Sequence, residues 1–175
     1  MWPEANRSDL SVQILNQELV GLAFDFKVNP NSCGNPEYFE QYLRFCAISD
    51  NAAGKAVTHV AIDTKTNQIA GYVSLRAASL IVGEEGEPAL EIYNLAVDHR
   101  YEHQGIGRIL VDTAIAITAN LNENYIGVRN LLLASEPKAV GFYKKCGFES
   151  LQDYYRMLKE HQNQNCIAMM MRLCN

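Results

Sequence analysis

Two short stretches of this 175-residue chain hold residue types from which chemistry could be built. The first is Leu95-Ala96-Val97-Asp98, followed by Gln104-Gly105-Ile106-Gly107-Arg108; it reads as the end of a strand, a glycine turn and the opening of a long amphipathic helix. Glycine removes the Cβ that would block a tight turn, so successive amide N–H groups can converge on one anion at the positive end of the helix dipole. That is a place for a phosphate. Taken alone, the same glycines suit a softened helix start with nothing bound. The second stretch, Ala139-Val140-Gly141-Phe142-Tyr143-Lys144-Lys145-Cys146-Gly147-Phe148, reads as a short helix capped by Gly147 and followed directly by an extended aromatic residue.

Order and spacing of the two stretches together resemble the GNAT superfamily of N-acetyltransferases, over about Val57 to Phe148. The resemblance implies an α/β (α+β) fold: a mixed, mostly antiparallel central sheet with a splayed parallel pair, helices on both faces, and acetyl-CoA as cofactor. It implies main-chain contacts to the cofactor from Leu95, Ala96 and Val97, one of whose N–H groups polarises the acetyl carbonyl. A diphosphate grip follows from His103, Gln104, Gly105, Ile106, Gly107 and Arg108, with Lys144 nearby. Tyr143 stands where many family members place the acid for the departing thiolate. A phenol with an ordinary pKa near about 10 can serve a thiol near about 8.5. An aromatic packing role is the alternative.

Glu91 looks like the glutamate base of the histone-acetylating branch, and strand alternation sets Glu91, Tyr93 and Leu95 on one face. A solvent-facing strand glutamate is the competing reading. Tyr93 and Asn94 are substrate-binding candidates, Asn94 equally as a partner for backbone. One residue departs from the family pattern. Glu102 stands where Gln or Arg usually begins the diphosphate motif, and a carboxylate about 6 Å from a phosphate, at an effective dielectric near 20, costs on the order of 3 kcal/mol. It must point to solvent or pair, with Arg100 or Arg108 as partners.

The elements that must hold these residues are legible as patterns. Leu10 to Leu15 alternates as a strand, Gln17 to Leu22 suits a helical turn, and Pro36 to Ile48 fits an amphipathic helix with Phe39, Leu43 and Ile48 on one side. Val57 to Ile62 and Gln68 to Leu80 flank a turn at Asp63 to Asn67 as a hairpin. Gly83 to Pro88 reads as a solvated acidic loop, and Ala89 to Val97 as the next strand. Helical spacing continues from Gly105 to about Leu121, Val128 to Ala134 is a nearly unbroken apolar strand, and Ser135-Glu136-Pro137 carries a cap and a proline for the next helix. Gln152 to Asn165 reads as an inserted loop or helix, and Cys166 to Leu173 as a final strand.

Length and composition fit one globular domain over residues 1–175, with 48% hydrophobic residues to build a core, and the resemblance implies that it is an N-acetyltransferase domain. No apolar segment reads as a signal or a membrane span, so a cytoplasmic protein is expected. Five cysteines without a C-x-x-C pair argue against a disulfide framework or zinc, and Cys146 reads as a small buried residue. Four scattered histidines imply no metal; His99 and His103 read as solvated loop side chains.

The resemblance implies a primary amine as acceptor, with a small molecule or a protein favoured on charge. A finer similarity, through Cys33-Gly34-Asn35-Pro36-Glu37, Tyr42-Leu43 and Gly71-Tyr72-Val73-Ser74-Leu75, is to the toxin branch of the superfamily, whose enzymes acetylate the amino acid on charged tRNA and pair with antitoxins. Fifteen Lys and Arg against 20 Asp and Glu, a net charge of −5, weigh against a nucleic-acid partner except under that reading. A catalytically silent acyl-CoA sensor and a homodimer stay open.

Overall fold

A computed structural model of the chain describes residues 9–151, 155–157 and 165–173. They divide into two compact units, and two strands and one helix pass from one unit into the other. Unit 1 comprises the described residues to Leu75 and Asn94–Asp112. Its sheet begins with β1 (Leu10–Ile14), antiparallel to β2 (Val57–Asp63), which pairs antiparallel with β3 (Gln68–Val82) through a bulge at Ala61/Ile62. The β2/β3 turn closes as sequence expects: the Asp63 carboxylate accepts the Lys65 amide at 2.9 Å, and Asn67 takes φ 53°, a conformation asparagine tolerates.

The expected 36–48 helix is divided. Asn35 caps α1 (Pro36–Gln41) by accepting the Tyr38 amide, a π turn follows over Tyr42–Cys46, and α2 (Ala47–Ala52) completes it. The widened turn contains Arg44, which reaches out of the helix to the carbonyls of Ala23 and Phe26 and pairs with buried Glu40. Leu43 is fully buried, whereas Phe39 and Ile48 are only half-buried.

Adjacent residues of β3 hold the two layers of this unit. The Tyr72 hydroxyl donates to the Phe39 carbonyl of α1 at 3.0 Å, while Gly71 faces the first turns of α3 (Ile106–Asn124). Side chains alternate along a strand, so α1 and the start of α3 cover opposite faces. A Cβ at Gly71 would meet Leu110 Cδ1 at 2.9 Å and the Ala96 carbonyl and Ile106 Cγ2 at 3.0 Å. Gly71→Ala is therefore expected to cost about 1–3 kcal/mol by overpacking, measured as a lower urea midpoint with an unchanged slope.

Unit 2 comprises Arg76–Tyr93 and the described residues from Thr113 onward. Of the expected acidic loop at 83–88, only Gly83 and Glu84 are turn, and residues 85–88 are strand. Gly83, at φ 63°, and Glu84 turn β3 directly into β4 (Glu85–Val97), because a two-residue turn with a left-handed glycine lets strand pairing continue to the hairpin's tip. β5 (Asn130–Ser135) runs parallel to β4, with Ala89↔Asn130 through Ile92↔Leu133 in register, and β4 goes on to Val97. β8 (Ile167–Arg172) lies antiparallel to β5, and β6 (Glu149–Ser150) antiparallel to β8. Leu131, Leu132 and Leu133 are at most 1% exposed, each such side chain stabilising the fold by roughly 1.5–3 kcal/mol.

Among the described pairings with a stated direction, β4/β5 alone is parallel, so the sheet is mixed and mostly antiparallel as expected. Ser135 is not a helix cap: it ends β5, buried, and a 3-10 turn over Pro137–Ala139 leads to α4 (Val140–Lys145). Within the 152–165 stretch, 155–157 form β7, antiparallel to the end of β3; the rest of the expected insertion, apart from residue 165, lies outside the described residues. Among the described residues no helix is long and apolar enough to cross a membrane.

Candidate active site

The β4–α3 connection of unit 1 is held from beneath by Asp98, which is fully buried. Its carboxylate accepts the Lys27 amide at 2.9 Å, the Arg100 amide at 2.9 Å, and the Arg100 guanidinium at 2.7 and 2.9 Å. Burial works against the charge, but the Arg100 and backbone hydrogen bonds outweigh it and hold the carboxyl below the usual aspartate range. The chain then turns through two left-handed residues, His103 (φ 61°) and Gly105 (φ 83°), so only the first of the two motif glycines uses glycine's conformational freedom. Gly107 sits in the first turn of α3.

This geometry leaves the N–H groups of Gln104, Gly105, Ile106 and Gly107 without acceptors among the described residues, at the positive end of a 19-residue helix. Donors of this kind on one turn are what a diphosphate grip would use. The side chains around it are occupied: Gln104 donates to the Arg100 carbonyl at 2.9 Å and Arg108 pairs with Asp112 at 2.8 Å. Glu102 is restrained, but by neither expected arginine. Its carboxylate accepts from Asn29 Nδ2 at 2.7 Å, because Arg100 is committed to Asp98 and Arg108 to Asp112.

On β4, Glu91 is 3% exposed, which removes the solvent-facing reading. Arg76 Nε donates to its carboxylate at 2.6 Å, and the guanidinium carbon lies 3.9 Å from the Tyr93 ring centroid. Both partners belong to unit 2. Sequence reasoning missed Arg76, although a lone charge inside the apolar run from Ile69 to Leu75 and on to Leu80 was a usable signal. Asn94 is 4% exposed, and its Nδ2 has no hydrogen-bond partner among the described residues. Leu95 and Val97 are half-buried and Ala96 buried.

Tyr143 lies on α4, whose end is built as foreseen. Gly147 takes φ 99°, its N–H donates to Lys144 and that of Phe148 to Tyr143, each at 3.0 Å, which closes a Schellman cap. The cap packs Phe148 against the Tyr143 ring at 5.8 Å. Burial, reinforced by the charges of Cys146 and Glu136, pushes the phenol well above the ordinary tyrosine range, so it stays protonated. Its hydroxyl makes no hydrogen bond among the described residues. Lys144 is exposed on the last turn of α4, and Cys146 is buried.

A family model for the acetyltransferase (GNAT) domain matches residues 54–150, more than half of the chain, and the chain belongs to that family. It is accordingly an N-acetyltransferase of the GNAT family, a family that draws its acetyl group from acetyl-CoA. Several solved structures share the fold. A tyrosine-to-phenylalanine variant of the toxin AtaT, bound to the C-terminus of the antitoxin AtaR and acetyl-CoA, has a TM-score of 0.68 at 20% identity, covering 94% of this chain and 93% of its own. A tyrosine-to-phenylalanine variant of KacT reaches 0.73 at 15% identity over 94% and 95%. AtaT complexed with acetyl-methionyl-tRNAfMet reaches 0.69 at 19% identity over 91% and 94%.

Proposed function

We propose that the chain acts as one acetyltransferase domain that moves the acetyl group of acetyl-CoA directly onto a primary amine. The observation that carries this is the row of unpartnered amides from Gln104 to Gly107, which supplies a diphosphate grip without a side chain. In this reading the Leu95 N–H donates to the acetyl carbonyl as charge builds on its oxygen, and Tyr143 delivers its proton to the departing sulfur. The burial that raises the phenol would also raise a thiol beside it, which keeps that transfer from being steeply uphill.

Glu91 takes the amine's proton through a water, since Arg76 already holds its carboxylate. An indirect base of this kind suits an α-amine, whose ordinary pKa of about 7.7–8.0 leaves part of it neutral near pH 7. A lysine amine, near about 10.4, asks for more. A second reading, acetylation of the amino acid on charged tRNA, is favoured by the likeness to AtaT and KacT across more than nine-tenths of each chain. It requires a local cationic surface on a chain of net charge −5.

An acceptor screen with free-thiol detection, spanning small amines, peptides, lysine derivatives and charged tRNA, tests both. The expected result is CoA release with α-amino acceptors in preference to lysine side chains; release with charged tRNA alone selects the second reading. If acetyl-CoA raises the melting temperature while no acceptor releases CoA, the chain is a sensor and the proposal fails.

A further inference from the structure

The cluster that holds Glu91 has an edge which the transfer described above leaves unused. Arg76 is clamped in two ways: Nε donates to the buried Glu91 carboxylate at 2.6 Å, and the guanidinium stacks on Tyr93 at 3.9 Å. Its side chain is only 21% exposed, yet neither Nη group has a partner among the described residues. Fixing a long side chain and stripping most of its water is costly, and neutralising Glu91 would need only one cationic donor. What arginine adds is the planar pair of Nη groups, which matches the two oxygens of a carboxylate or phosphate.

Position gives this edge a use. Glu91 and Tyr93 share one side of β4, and Glu91 is the group that takes the amine's proton in the transfer proposed above. We propose that Arg76 binds an oxyanion, carboxylate or phosphate, which the acceptor carries close to its amine, with Glu91 and Tyr93 as the braces that aim the guanidinium. The proposal rests on the reading of the chain as an amine acetyltransferase. It narrows the acceptor from primary amines in general to amines with an adjacent acid.

Acceptors paired by charge test it: glycine against glycinamide, and phosphoethanolamine against ethanolamine. Turnover is read by thiol release as kcat/KM referred to the neutral amine, so that the acid group's effect on the amine's own basicity drops out, and binding by calorimetry in the presence of CoA. In the wild-type protein the anionic member of at least one pair is preferred by about tenfold or more, as hydrogen bonds to a charged group allow. The pair with the larger preference identifies the oxyanion. Arg76→Lys keeps a cation beside Glu91 but lacks the fork, and the preference shrinks; Arg76→Gln combined with Glu91→Gln strands no buried charge and brings it near one. The proposal is overturned if wild type shows no preference in turnover or binding, or if the preference survives in the double variant. Turnover without preference leaves the acetyltransferase reading standing, whereas an oxyanion preference in binding without turnover of any acceptor leaves the Arg76 site standing alone.

Discussion

Tyr143→Phe lowers kcat by about a hundredfold to ten-thousandfold, the usual worth of a positioned general acid, while acetyl-CoA still binds. The substitution is clean on structural grounds. Phenylalanine keeps the ring that packs on Phe142 at 5.0 Å and on Phe148 at 5.8 Å, and the lost hydroxyl strands no partner among the described residues. The melting temperature should therefore barely move. Since burial raises the phenol above the ordinary value of about 10, the acid form persists to higher pH than a free tyrosine would allow. The wild-type rate consequently shows no alkaline loss from this group below about pH 10. A variant that matches wild type in kcat across pH removes Tyr143 from the chemistry and returns it to packing.

Asp98→Ala has the largest expected effect on stability, about 3 kcal/mol, because it orphans the amides of Lys27 and Arg100 and releases the Arg100 guanidinium. In a chain of this size that corresponds to a melting point lower by roughly 10 °C. The pH dependence follows from the depressed carboxyl. Folding keeps the charged form at pH values where the unfolded chain already takes up a proton, so the contribution is present above about pH 4 and fades as pH falls through the lower folded value. Asp98→Asn should flatten that acid limb in a series of thermal melts from pH 7 to pH 3. An unchanged limb would mean that other carboxylates set it. Affinity for acetyl-CoA should fall in both variants, since the turn that presents the Gln104 to Gly107 amides is pinned through Arg100.

What could be read from sequence was what local patterns encode. The Gly105 turn and the Gly147 cap are backbone demands that few other residues meet, and both were visible as glycines at fixed distances from an apolar period. The first strand followed from alternation, and the later ones from apolar runs bounded by turn residues. Partnerships between distant residues were not legible: Asp98 reaches Lys27, Glu102 reaches Asn29, and Glu91 reaches Arg76, none of which shares a local motif. The misplaced acidic loop had a different cause. Glu84, Glu85 and Glu87 discourage strand propensity, yet the left-handed Gly83 allows a two-residue hairpin whose pairing overrides it. Likewise the π turn at Tyr42–Cys46 answers Arg44's carbonyl partners, which no helical period announces.

The most direct test of the account is calorimetric titration of acetyl-CoA into the wild-type protein and into Gly105→Val, with thermal melts alongside to confirm folding. Valine resists φ 83° by roughly 1–2 kcal/mol and would turn the amides away from a common point. Saturable binding by the wild type, weakened about tenfold or more in a folded variant, is the predicted result; no heat with the wild type, or equal affinity in the two proteins, would contradict a cofactor grip made of main-chain nitrogens.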